Sequence, residues 1–188
     1  MSTARVRIAE FDDTPGTVTP AQYAVLGLLR EAPAHGYQLQ RHFSPDGDLG
    51  IVLPIEQASL YGTLKDLAAR GLIRGVERRE GLRPPRTEYE LTEVGVRALD
   101  RWLKEPVDRL RRVRVDFLLK VYFTRGHGRR ALRALVDAQI AACEAYLAHL
   151  DERAANLSAD DFAHLVVESR TSAARSTLEW LRAYRQRV

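Results

Sequence analysis

Lys65, Ser59 and Tyr61 sit close together in IEQASLYGTLKDLAARGLI, the stretch from Ile55 to Ile73. A lysine ammonium meets a phosphate or a guanine edge, a serine hydroxyl bonds either, and a tyrosine hydroxyl reaches a phosphate. Ala58 and Gly62 beside them are small enough to let a backbone approach another surface. Gln57 and Tyr37 join them as candidate contacts to a nucleic acid. Just downstream, Arg78, Arg79, Arg83 and Arg86 surround EGLRPPR. Guanidinium groups suit bidentate phosphate contact and insertion into a narrow minor groove. Glu77, Glu80, Glu88 and Glu90 dilute that charge, so a solvated edge hairpin is the plainer alternative. Catalytic chemistry has no comparable support. The chain lacks a glycine-rich phosphate loop, a nucleophile elbow and an HExxH pair. Its five histidines and single cysteine show no metal-ligand spacing, which predicts no metal and no cofactor.

Elements must hold these groups in place. Leu60, Leu64 and Leu67 recur at helical spacing with Ala68 alongside, and Gly71 supplies a helix stop. At about 100° per residue the side away from those leucines carries Ala58, Gly62, Lys65 and Ala69, flanked by Ser59 and Tyr61. Ile73 to Arg79 and Thr87 to Leu91 have strand character, with Val76, Tyr89 and Leu91 pointing inward. Gly81 permits the turn between them, and Pro84 and Pro85 stiffen it. Upstream, Thr19-Pro20-Ala21-Gln22 reads as a capping box opening a nearly all-apolar helix that Pro33 ends. His35-Gly36-Tyr37 opens a second helix with Leu39 and Phe43 inward, followed by a loop from Ser44 to Gly50. Thr92 caps a further helix bearing Val96, Leu99, Trp102 and Leu103. Helix, helix, recognition helix, hairpin and helix describe a winged helix-turn-helix.

Beyond Pro106 the chain reads as long amphipathic helices. Leu132, Val136, Ile140, Cys143 and Leu147 form one stripe, and Phe162, Val166, Trp180 and Tyr184 lie on a second helix. One small winged domain cannot bury both, so these residues are expected to form a dimer interface; a three-helix bundle within a monomer is the alternative. The expected fold class is therefore mainly α with a small β-hairpin: a winged helix-turn-helix domain plus a C-terminal helical dimerisation domain. The expected boundaries are 1–18 for a flexible N-terminal arm, 19–105 for the DNA-binding domain and 106–188 for the dimerisation domain. The basic run Arg109, Arg111, Arg112 and Arg114 fits flanking phosphates, a solvated face or acids of a partner subunit. Trp102, near the junction, could stack on a small-molecule effector or simply pack in the core.

Composition is compatible with this. The 188 residues carry a formal charge of +4, and the pI is about 9.4, so any nucleic-acid site must be local. A single cysteine excludes an internal disulfide framework. No apolar signal core or membrane-length run is present, which predicts a cytoplasmic protein without a membrane partner.

The combined motifs resemble the PadR family of bacterial transcriptional regulators. They are YAVLGLLREAPAHGYQLQRHF, then SLYGTLKDLAARGLI, then RTEYELTEVG, together spanning roughly residues 20 to 105. Three features depart from the family pattern: Gly62 where proline is common, a long loop from Ser44 to Pro54, and RPP at the wing tip where glycines are frequent. The resemblance implies a homodimeric repressor on a double-stranded operator, released by a small, often aromatic or otherwise hydrophobic effector. The competing expectation is a winged-helix protein-interaction adaptor without sequence-specific DNA binding, its arginines pairing an acidic partner.

Overall fold

The computed structural model describes residues 18–78, 86–158 and 160–188. The N-terminal arm, Arg79, Arg83 and the EGLRPP tip lie outside the described residues, apart from Val18 at the arm's end. The first helix, α1 (Pro20–Glu31), opens on the expected capping box: Thr19 accepts from the Gln22 backbone N–H while the Gln22 side chain accepts from the Thr19 N–H. A two-residue strand follows, β1 (Ala34–His35), and then α2 (Gly36–Phe43). The recognition-helix candidate is α3 (Gln57–Ala69). It closes in a Schellman motif. Gly71 sits at φ 67°, its N–H reaches the Ala68 carbonyl at 3.0 Å, and the Leu72 N–H reaches Leu67 at 3.0 Å.

Strands β2 (Ile73–Arg78) and β3 (Arg86–Leu91) pair antiparallel, with Ile73 opposite Leu91 and Arg78 opposite Arg86. The expected two-stranded hairpin is in fact a three-stranded sheet of order β1-β3-β2, because Ala34 and His35 pair with Tyr89 and Glu88. Val76, expected inward, is only half-buried, and Ile73 takes the core position. Helix α4 (Glu93–Lys104) starts at Thr92, whose hydroxyl oxygen accepts from the Gly95 N–H and donates to the Gly71 carbonyl at 2.7 Å. Leu26, Leu39, Phe43, Leu60, Leu64, Leu67 and Leu99 meet in one core. Leu49 of the loop after α2 is fully buried there too, so that loop is packed rather than merely connecting.

The tail begins as α5 (Leu110–Arg112), a π-turn at Val113–Phe117 and α6 (Leu118–Thr124). A short 3₁₀ turn and Gly128 at φ 91° redirect the chain into α7 (Arg129–Ala154), and α8 (Phe162–Arg185) returns antiparallel to it. Arg185–Asp137 and Arg182–Glu144 ion pairs tie the two together. The α7 stripe expected at a dimer interface packs largely inside the protomer. Val136 and Cys143 are buried within the protomer against Phe117, Leu178 and Leu181, with Ile140 and Leu147 half-buried beside them and Leu132 also buried. The segment from Leu110 to Phe117 supplies a third helical layer against this stripe, and Ile140 and Leu147 keep part of their surface exposed. Leu119 and Phe123 of α6 belong to the winged core, which therefore continues past Pro106.

Candidate nucleic-acid interface

Helix α3 lays Leu60, Leu64 and Leu67 into the core, and this leaves Gln57, Ala58, Ser59, Tyr61, Gly62 and Lys65 exposed on its outer side. A Cβ built on Gly62 meets nothing within 4 Å, so no packing inside the protein requires a glycine there. Tyr61 lies over the start of α2: a Cβ on Gly36 would be 2.8 Å from its ring. Gly36 is thus small because Tyr61 is there. Tyr37, also exposed, stacks on His35 with centroids 5.9 Å apart and carries the Arg86 guanidinium 5.7 Å from its ring centre. The fold gathers residues from α2, α3 and β3 into one polar, aromatic and cationic edge.

The wing cations are partly engaged. Arg78 bonds Glu88 at 3.0 Å, and Arg74, which the sequence did not single out, bonds Glu90 at 2.8 Å. Both arginines are well exposed, and such pairs contribute about 0–1 kcal/mol. A phosphate can therefore replace either carboxylate at small cost. The acidic residue on the outer side of α3, Asp66, accepts from Gln22 at 2.5 Å and pairs with Arg70. Gln22, itself buried, thereby pins α3 to the start of α1 and fixes the helix's orientation.

At the junction with the tail, Trp102 is buried and stacked on Tyr23 at 4.4 Å, with the Lys120 ammonium 4.9 Å from its ring centre. It packs there and is not among the residues that line the nearby cavity. That cavity, of about 530 Å³, lies between α1, α4, α6 and α7. Leu103, Ala131, Ala134 and Leu135 form its apolar wall; Arg30, Asp100, Lys104, Thr124 and His127 are its polar groups. Arg30 is ion-paired with Asp100, and Lys104 is a second cation at the rim. Composition alone gave no signal for this cavity, since its walls come from four separate helices. Of the basic run, Arg112 turns inward to Asp116 at 2.8 Å.

Among the described residues, no group of three or more His, Cys, Asp or Glu is arranged to hold a metal. No described helix is long and apolar enough to cross a membrane.

Residues 25–101 match the model of the transcriptional regulator PadR-like family, and residues 113–188 match that of the virulence activator alpha C-terminal region. The chain is 28% identical over 172 residues to the negative transcriptional regulator PadR of Bacillus subtilis, covering 85% of this chain and 92% of that protein. Two solved structures of Bacillus subtilis PadR are similar. The complex with operator DNA has 25% identity and a TM-score of 0.45, over 89% of this chain and 97% of the other. The complex with p-coumaric acid has 24% identity and a TM-score of 0.41, over 89% and 98%. Along residues 25–101 the chain is thus similar to the PadR-like transcriptional regulators, and it aligns with the Bacillus subtilis regulator through most of its length.

Proposed function

We propose that the chain is a repressor that binds an inverted-repeat operator as a two-fold dimer. Helix α3 enters the major groove through Ala58, Ser59, Gly62 and Lys65. Tyr37, Tyr61 and Arg86 hold the phosphates beside it, and the wing arginines Arg78, Arg79 and Arg83 follow the adjacent backbone. The observation that carries this reading is the outer side of α3, where an exposed glycine with open space around it stands between Ser59 and Lys65. One such head makes few contacts. Two of them, on half-sites about 34 Å apart or a multiple of that, multiply the affinity.

The junction cavity is the effector site in this reading. Its apolar wall suits an aromatic ring, and Lys104 and His127 suit an acid group. The relative solved with p-coumaric acid makes that compound the natural probe. Fluorescence anisotropy with duplexes from the gene's own neighbourhood tests the proposal. A palindrome should bind far above the non-specific level at moderate salt, Lys65→Ala should weaken it, and p-coumarate should release it. If no duplex binds above background while the protein captures an acidic protein partner, the adaptor reading takes over.

A further inference from the structure

Glu105, Pro106 and Val107 carry the chain from one core to another. Trp102 and Leu103 pack in the winged core, whereas Val107 packs in the tail core with Val113, Phe117, Val136 and Leu178. A connection of this kind usually runs over the surface and leaves its backbone groups to water. Here two buried polar side chains hold it from either end. Lys120 of α6, only 2% exposed, donates to the Glu105 carbonyl and lies over the Trp102 ring. Gln139 of α7, with no exposed surface, spans Val107. The Val107 N–H donates to Gln139 Oε1 at 2.7 Å, and Gln139 Nε2 donates to the Val107 carbonyl at 3.0 Å. A side chain thus makes the pair of bonds that a neighbouring strand would make. Pro106, between the two grips, has its φ fixed by its ring.

Gln139 is the polar exception among the buried residues of α7, the others being Leu132, Leu135, Val136, Cys143 and Leu150. Burying an amide is costly unless its groups are bonded. A leucine at this position would fill the space equally well, but it would leave the N–H and the carbonyl of Val107 unpaired in a dry place. The two grips also reach different bodies. Helix α6, which carries Lys120, is bound into the winged core by Leu119 and Phe123, while α7 contributes Leu135, Val136 and Cys143 to the tail core. We propose that Gln139 is a positioning residue for operator binding. With Lys120 it locks the joint from Glu105 to Val107, and the locked joint fixes the angle between the winged head and the α7–α8 pair. This rests on the two-fold operator reading above, in which that angle sets the distance between the two recognition helices.

Two measurements on the full chain test the assignment, with Gln139→Met, which keeps length and helix preference but neither bond, and Lys120→Met, which releases the other grip. The first is fluorescence anisotropy on the palindrome, on the same palindrome with its half-sites moved two base pairs apart, and on a single half-site. The wild type should prefer the native spacing by at least about tenfold. Both variants should lose most of that preference and bind the single half-site as the wild type does. An equal loss on all three duplexes, or an unchanged preference, overturns the positioning role. The second measurement needs no DNA. Lys104 and Arg109 bracket the joint, so limited trypsin digestion followed by mass spectrometry reads its opening. Gln139→Met should be cut after these two residues many times faster than the wild type, giving head and tail fragments that persist. Cutting at the wild-type rate overturns the lock, and so does digestion spread evenly along the chain. A wild type that binds no palindrome sinks the operator reading, and the trypsin result still decides the joint.

Discussion

Replacing Gly62 by alanine separates stability from recognition at a single methyl group. Gly62 sits in the interior of α3, is exposed, and among the described residues nothing beyond its own helix backbone and chain neighbours lies within 4 Å of where a Cβ would stand. Inside the protein the substitution therefore meets no clash, and it gains what alanine gains over glycine in a helix, up to about 1 kcal/mol. For a chain of this length that corresponds to a rise in Tm of roughly 2–4 °C. On the operator the sign reverses. If the backbone at position 62 approaches the bases, a methyl group inserted into that contact costs about 1–3 kcal/mol, or roughly 5- to 150-fold in Kd. Thermal unfolding and operator anisotropy on the same preparation read both effects. A variant that is more stable and binds the operator as tightly as the wild type refutes close approach at Gly62. A variant that loses stability refutes the open space around it.

Two further perturbations test the junction. Gly27→Ala puts a Cβ 2.4 Å from the ring of Phe123, which is buried against α1, so stability should fall by about 1–3 kcal/mol in urea unfolding. Adding Phe123→Leu should recover part of that loss, and no recovery would place the strain elsewhere. Lys120 is buried, which lowers its pKa from the usual 10.5 to about 8, against the attraction of Asp116 and Glu105. The unfolded chain then holds the proton to higher pH than the native one, so wild-type stability should rise with pH between about 8 and 10.5. Lys120→Met should flatten that rise, and an unchanged slope would show that the ammonium is not buried in solution.

The reading head was legible because its signals are local. A leucine repeat, a glycine stop and Thr92 each act within a few residues, and α3, β2, β3 and α4 follow from them. β1 was not legible, since two residues carry no period and Ala34–His35 become a strand only by pairing with Tyr89 and Glu88 far along the chain. The tail shows the same limit from the other side. Periodicity announced apolar stripes on α7 and α8 but could not say which stripe faces which neighbour. Only the π-turn, which brings Val113 and Phe117 under Val136, turns the α7 stripe inward. The candidate interface divides likewise. The outer side of α3 follows from helical geometry, whereas the placement of Tyr61 over Gly36 and of Arg86 over Tyr37 depends on how α2 and β3 meet.

The short helix α6 links the cavity to the recognition helix. Phe123 wedges it against Gly27 of α1. Tyr122 donates to Asp48 at 2.9 Å, in the loop that runs into α3, and Arg125 covers its ring at 4.1 Å. Burial, together with the bond to Asp48, raises the Tyr122 pKa to about 12, so the hydroxyl stays a donor across the physiological range. Thr124 and His127, on the same turn and the next, line the cavity, and His127 is tied to the Phe123 carbonyl at 2.9 Å. In the proposed reading, a ligand in the cavity touches this segment through Thr124 and His127. Because the segment is tied both to α1 and to the loop before α3, a ligand that displaced it would, in that reading, alter how α3 is presented. Shifting such an equilibrium from 99:1 to 1:99 takes about 5.5 kcal/mol of differential binding. A small ligand need not supply that much alone. In the proposed two-fold dimer two cavities would act on one operator spacing, so each ligand would have to contribute only about half.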